Sequence, residues 1–113
     1  MAVTVDFQPC YVGATSPSWD IPITAGGQPE NLAGVDVTKF TLYFKLNSGS
    51  ETPGTGTFTL KTPYPGEVFY KPSVTDVAAI FGGSIVIKAF YPPSFTNADE
   101  MVFDPIAFSI VAS

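Results

Sequence analysis

Residues 66–91 read GEVFYKPSVTDVAAIFGGSIVIKAFY. Val68 and Tyr70 alternate with Glu67, Phe69 and Lys71, the period of two that marks a strand with one face in and one face out. Pro72 cannot donate to a ladder, so the strand ends there. Ser73 has the side chain of a helix N-cap, and Asp76 three residues on can return the hydrogen bond as a capping box. Val74, Val77, Ala78 and Phe81 fall at i, i+3, i+4 and i+7, so the spacing predicts a short helical turn over residues 73–81 with one apolar face. Gly82 and Gly83 would close that turn in left-handed geometry. So short a helix has little stability alone and needs a sheet to dock on. A second strand follows, with Ile85, Ile87, Ala89 and Tyr91 on one side and Val86, Lys88 and Phe90 on the other, stopped by Pro92 and Pro93.

Outward from this unit the pattern is more strands. Val3, Val5 and Phe7 alternate with Thr4 and Asp6, predicting a first strand that ends at Pro9. Trp19, Ile21 and Ile23 alternate with Asp20, Pro22 and Thr24, and Pro22 puts that strand at an edge or a bulge. Trp19 is expected to plug the core rather than serve as a ligand platform, because aromatic area is chiefly used in packing. Leu32 is expected to tuck inward from the loop 25–34. The clearest alternation sets Thr38, Phe40, Leu42, Phe44 and Leu46 against Lys39, Thr41, Tyr43 and Lys45, as in a half-exposed antiparallel strand. Residues 47–56 (NSGSETPGTG) read as a polar hairpin loop, with residues 57–61 as the return strand. The last strand pairs Met101 and Phe103 with Ile106, Phe108 and Ile110 across a break at Asp104-Pro105. About seven strands with turns at short intervals predict an all-β chain: one immunoglobulin-like antiparallel β-sandwich over residues 1–113.

Composition narrows function. The chain has no Arg, no His and five Lys against ten Asp plus Glu, for a net charge of −5. Clustered cations are what phosphate backbones require, so no nucleic-acid partner is expected. Cys10 is the only cysteine, which excludes an intrachain disulfide or a multi-cysteine metal site and suits a small buried residue. No run approaches the roughly 20 apolar residues of a membrane span. The start shows no basic region followed by an apolar run, so no signal peptide, no membrane partner and synthesis in a cytoplasm are expected.

The residues offer little catalytic chemistry. Without His, and with no evident base for Cys10, nucleophile–base pairs fail, and no catalytic residue or cofactor is expected. Asp99 and Glu100 are adjacent, so on a strand they point to opposite faces and cannot act as a carboxylate pair. Asn97, Asp99, Glu100 and Asp104 have the oxygen ligands of a calcium loop but lack the glycine and spacing of the EF-hand, and no metal site is assigned. What remains is aromatic. Tyr43, Phe69 and Phe90 fall on outward strand faces, while Tyr64 and Phe95 lie in proline-containing loops. These five are the candidate interaction residues, for a protein interface or, alternatively, for stacking on sugars.

Two segments resemble a phage family. Leu32, Gly34, Val37 and Phe40 in NLAGVDVTKFTLYFKL match its first motif. Gly66, Val68, Tyr70, Ser73, Asp76, Gly83 and Ile85 match its second, a strand, corner and strand. Together with DIPIT at residues 20–24 and GTGTFTL at 54–60, the chain from Trp19 to Val111 is similar to the immunoglobulin-like domain at the N-terminus of siphophage upper baseplate proteins and in short phage and prophage proteins. The resemblance implies a non-enzymatic virion protein of a tail, baseplate or related assembly. It also implies localisation in the virion, and partners that are other virion proteins or copies of itself in a homo-oligomer. The alternative is a carbohydrate-binding module that attaches to host surface glycans.

Overall fold

The computed structural model describes residues 10–16, 18–90 and 100–112. It is an all-β sandwich. The strands are β1 (Cys10–Tyr11), β2 (Trp19–Pro22), β3 (Thr24–Ala25), β4 (Gln28–Pro29), β5 (Thr41–Lys45), β6 (Glu51–Pro53), β7 (Thr57–Thr62), β8 (Glu67–Lys71), β9 (Phe81–Phe90), β10 (Glu100–Val102) and β11 (Ile106–Val111). One sheet runs β1-β11-β9-β5-β6, with β10 also on β9; the other runs β2-β8-β7; β3 and β4 form a small hairpin. Among the described residues only β1 and β11 pair in parallel. Strands β2, β8 and β7 take the places of B, E and D, and β5, β9 and β11 those of C, F and G, in an immunoglobulin-type sandwich.

Alternation is what closes the two sheets on each other. Leu42 and Phe44 on β5, Val68 and Tyr70 on β8, and Ile106, Phe108 and Ile110 on β11 all face inward and are buried. Trp19, 7 % exposed, is a core plug. Its ring lies 4.5 Å from Phe108, 5.4 Å from Tyr70 and 6.2 Å from Phe44, joining the two sheets through aromatic contacts. Leu32 is fully buried, as expected of a residue that tucks in from a loop. Pro22 ends β2, which is an edge strand of the smaller sheet. The break at Asp104-Pro105 is also present. Val102 pairs with Lys88 and Ile106 with Ile85, so one strand spends four steps where the other spends three, as in a bulge.

Three local expectations change. The corner at residues 73–81 is a non-helical turn, whose internal backbone bond from Ala78 N–H to the Thr75 carbonyl is long, at 3.4 Å, while the Val77 carbonyl accepts Gly13 N–H from outside it. The helical-period reading fails because Val77 turns into the core, at 0 % exposed, and Phe81 packs against it from the start of β9, while Val74 and Ala78 face solvent. Gly82 and Gly83 are not its stop: β9 already runs through them, and a side chain at Gly83 would meet the Lys45 carbonyl at 2.3 Å, so β5 and β9 approach closely only over a glycine. Residues 47–56 are not just a loop. They contain β6, which pairs with β5 from Tyr43 to Lys45, and the chain then changes sheet, so β7 returns beside β8 rather than β5. The apolar alternation around β5 is shorter than read. Val37–Lys39 is a 3-10 turn capped by Asp36, whose carboxylate is held below its usual range by Thr38, and Leu46 lies outside the core. The strand expected at residues 3–7 lies outside the described residues.

Candidate functional site

The turn at 73–81 is built from polar side chains in place of helical hydrogen bonds. Ser73 N–H donates to Asp76 Oδ2 at 3.0 Å, and Asp76 N–H donates to Ser73 Oγ at 3.1 Å, so the reciprocal box forms although no helix follows it. Asp76 Oδ2 also accepts the Tyr70 hydroxyl at 2.6 Å, and Asp76 Oδ1 accepts Thr55 N–H at 2.9 Å. The Tyr70 oxygen in turn accepts Gly56 N–H at 2.8 Å. Burial, reinforced by Asp76, raises the Tyr70 phenol well above its ordinary value, so it stays a neutral donor. Gly56 is required here: an added Cβ would lie 2.2 Å from the Lys71 carbonyl and 2.7 Å from the Tyr70 ring. The crossing at 54–56 is thereby tied at one carboxylate to β8 and the turn that follows it.

Beside this tie lies a groove of about 270 Å³. Phe44, Phe81 and Pro53 contribute to its apolar lining, with Leu46 and Ile80 at 46 % and 70 % exposure, and Asp76 lies among its lining residues. Phe44 and Phe81 meet edge-on at 5.3 Å and belong to the same aromatic cluster as Trp19. The groove thus opens onto the end of the core itself. None of its lining residues was among the expected interaction residues. The available signal was Leu46, the last apolar residue of the β5 alternation, left outside the core once the strand stops at Lys45.

Of the expected aromatics, Tyr43, Phe69 and Tyr64 stand apart from one another. Tyr43 lies on the outer face of the large sheet beneath Lys88, whose ammonium is 4.7 Å from the ring centroid and 2.8 Å from Glu51. Phe69 lies on the outer face of the small sheet beneath Lys61, 5.6 Å from the centroid, and Lys61 pairs with Asp20 and Glu67. The hydrogen bond to Asp20 holds the Lys61 ammonium above its usual range. Tyr64, at 64 % exposed, projects from the turn between β7 and β8. Phe90 ends β9. Phe95 lies outside the described residues, as do Asn97 and Asp99.

Asp104 has a different occupation from calcium binding. Its carboxylate accepts Gly27 N–H at 2.8 Å, Gly26 N–H at 3.0 Å and the Thr24 hydroxyl at 2.9 Å, and its own N–H donates to the Thr24 carbonyl. The Gly27 N–H above all, with Thr24 and Gly26, holds this carboxyl below its ordinary range. Among the described residues no three His, Cys, Asp or Glu side chains gather as metal ligands, and no helix is long and apolar enough to cross a membrane. Cys10 is buried in the core with its thiol pushed up by desolvation, far from the thiolate character that reactivity needs. In comparisons with protein-family models, curated proteins and solved structures, nothing matches this chain.

Proposed function

We propose that this chain is a non-enzymatic phage virion structural protein, a tail, baseplate or related assembly component acting through protein–protein contacts. The observation that carries the reading is the apolar groove over Phe44 and Phe81, with Leu46 and Ile80 exposed in its lining, beside a corner held by the Tyr70–Asp76 network. Large apolar side chains grouped on an ordered surface suit a contact with another protein better than they suit solvent. The motif residues behind the family resemblance have structural work that fits such a scaffold. Leu32, Val37, Phe40, Val68 and Ile85 fill the core, and Tyr70, Ser73 and Asp76 form the corner.

The carbohydrate-binding alternative draws less support, because a sugar platform needs open aromatic faces side by side. Tyr43 and Phe69 lie on opposite sheets, each beneath a lysine, and Tyr64 projects from a separate turn. The deciding experiment is mass spectrometry of purified phage particles from a strain that carries this gene. A fixed copy number per particle is the expected result. A chain found only in the soluble lysate, and retained on a glycan array, would overturn the assembly reading.

A further inference from the structure

We infer that the groove receives a partner polypeptide at one apolar side chain flanked by a cation: a lysine, an arginine or a free N-terminal amine. The inference deepens the protein-contact reading and rests on it. Its basis is the charge inventory of the groove. The lining residues Phe44, Leu46, Thr52, Pro53, Ile80 and Phe81 are uncharged, and Asp76 is the one ionisable residue in the lining, with no lysine among them. Among the described residues every partner of the Asp76 carboxylate is a neutral donor: Tyr70 hydroxyl, Ser73 N–H and Thr55 N–H. Neutral donors orient a carboxylate without cancelling its charge. A carboxylate has about four acceptor sites; three are taken, and Oδ1 accepts only from Thr55. An occupant that brings a cation meets an uncompensated charge at the margin of an apolar floor, which is electrostatic complementarity combined with burial.

Size sets the scale of the occupant. A space of about 270 Å³ lies just below the range of small-molecule pockets and suits one side chain rather than an extended ligand. The sign of the whole chain favours a different protein over a second copy: at a net charge of −5, two copies repel before they meet. Strand addition, the usual rival mode for a β-sandwich, finds blunted edges at β6 and β7. β6 has three residues and ends in Pro53, and β7 carries Lys61 and a register shift between Leu60 and Thr62.

The test is an amide-resolved NMR titration of the whole chain with two capped tetrapeptides, Ac-Gly-Phe-Lys-Gly-NH2 and Ac-Gly-Phe-Gln-Gly-NH2. Saturable shifts are expected at Leu46, Ala78, Ile80 and Phe81, in the millimolar range that one side chain and one exposed charge can supply. The lysine peptide should bind at least about threefold more tightly, the scale of one exposed ion pair. That preference should vanish as salt rises to about 0.5 M. Ala79→Trp, at an exposed lining position, should remove the shifts from both peptides. Equal affinity for the two peptides, shifts centred elsewhere, or no shifts at all would overturn the inference. A chain found in virions that ignores both peptides would retire this occupant and leave the assembly reading standing.

Discussion

Two aspartates do the same local job in this molecule with different surroundings. Asp76 accepts two backbone N–H groups and one hydroxyl, and so does Asp104. Each ties segments distant in sequence: residues 54–56 to the β8–β9 turn in one case, the β3–β4 hairpin to the β10–β11 break in the other. The difference is the hydroxyl. At Asp76 it belongs to Tyr70, 1 % exposed, whose ring packs 4.8 Å from Phe58 and 5.4 Å from Trp19. At Asp104 it belongs to the small, part-exposed Thr24. A shared hydrogen-bond pattern is therefore anchored in the core at one site and laid over the surface at the other. The core-anchored one borders an apolar groove, and the proposed cation contact falls on that same carboxylate.

That contrast can be broken by mutation, and the largest effect is expected at the buried tie. Asp76→Ala removes three hydrogen bonds and leaves the Tyr70 hydroxyl without its acceptor inside the fold. A loss of about 3 kcal/mol is expected in urea unfolding, from charge-assisted bonds and an unsatisfied buried donor. If Asp76→Ala costs no more than Asp104→Ala, the claimed difference in anchoring is wrong. Gly56→Ala should come next, at about 2 kcal/mol, because its Cβ overlaps the Lys71 carbonyl and the Tyr70 ring. The midpoint of thermal unfolding reads this directly.

Asp104→Asn should cost less, about 1 kcal/mol, and its cost should depend on pH. The folded Asp104 carboxyl is depressed below its unfolded value, so its stabilisation is present above the unfolded pKa of about 3.9 and is lost as pH falls through the folded value. The stability gap between the parent chain and Asp104→Asn should therefore be full near neutrality and close in strong acid. A gap that persists unchanged at low pH would show that the carboxylate charge is not what holds the hairpin. The smallest effect belongs to Ile80→Ser. At 70 % exposed, the side chain adds little to folding, within about 0.5 kcal/mol. Its loss should still weaken the peptide shifts at Leu46 and Phe81, which separates a binding surface from a structural one.

Much of this was legible along the chain. The alternations of Phe40, Leu42 and Phe44, of Val68 and Tyr70, and of Ile106, Phe108 and Ile110 placed the core faces correctly, because a strand's period of two needs no knowledge of its neighbours. Ser73 and Asp76 were recognised as a reciprocal pair, since three-residue spacing puts those groups in reach whatever follows. Prolines also spoke locally: Pro22 at an edge and Asp104-Pro105 at a break both follow from a missing N–H. The predicted helical turn does not form, because Val74, Val77, Ala78 and Phe81 satisfy a helical period in number only. The groove and its relation to Asp76 were not visible at all.

By itself, then, the sequence determined strand faces, chain breaks, the capping pair and an acidic, arginine-free surface, all of which depend on neighbours within a few residues. Tertiary structure decided where the chain changes sheet after Pro53, that β9 begins at Phe81, and that Tyr70, Asp76 and Thr55 meet at one carboxylate. The physical reason is the range of the interactions. Pleat and proline geometry act within one strand, whereas sheet choice follows from which buried surfaces fit together. A hydrogen bond between residues 21 positions apart exists only after those surfaces have closed.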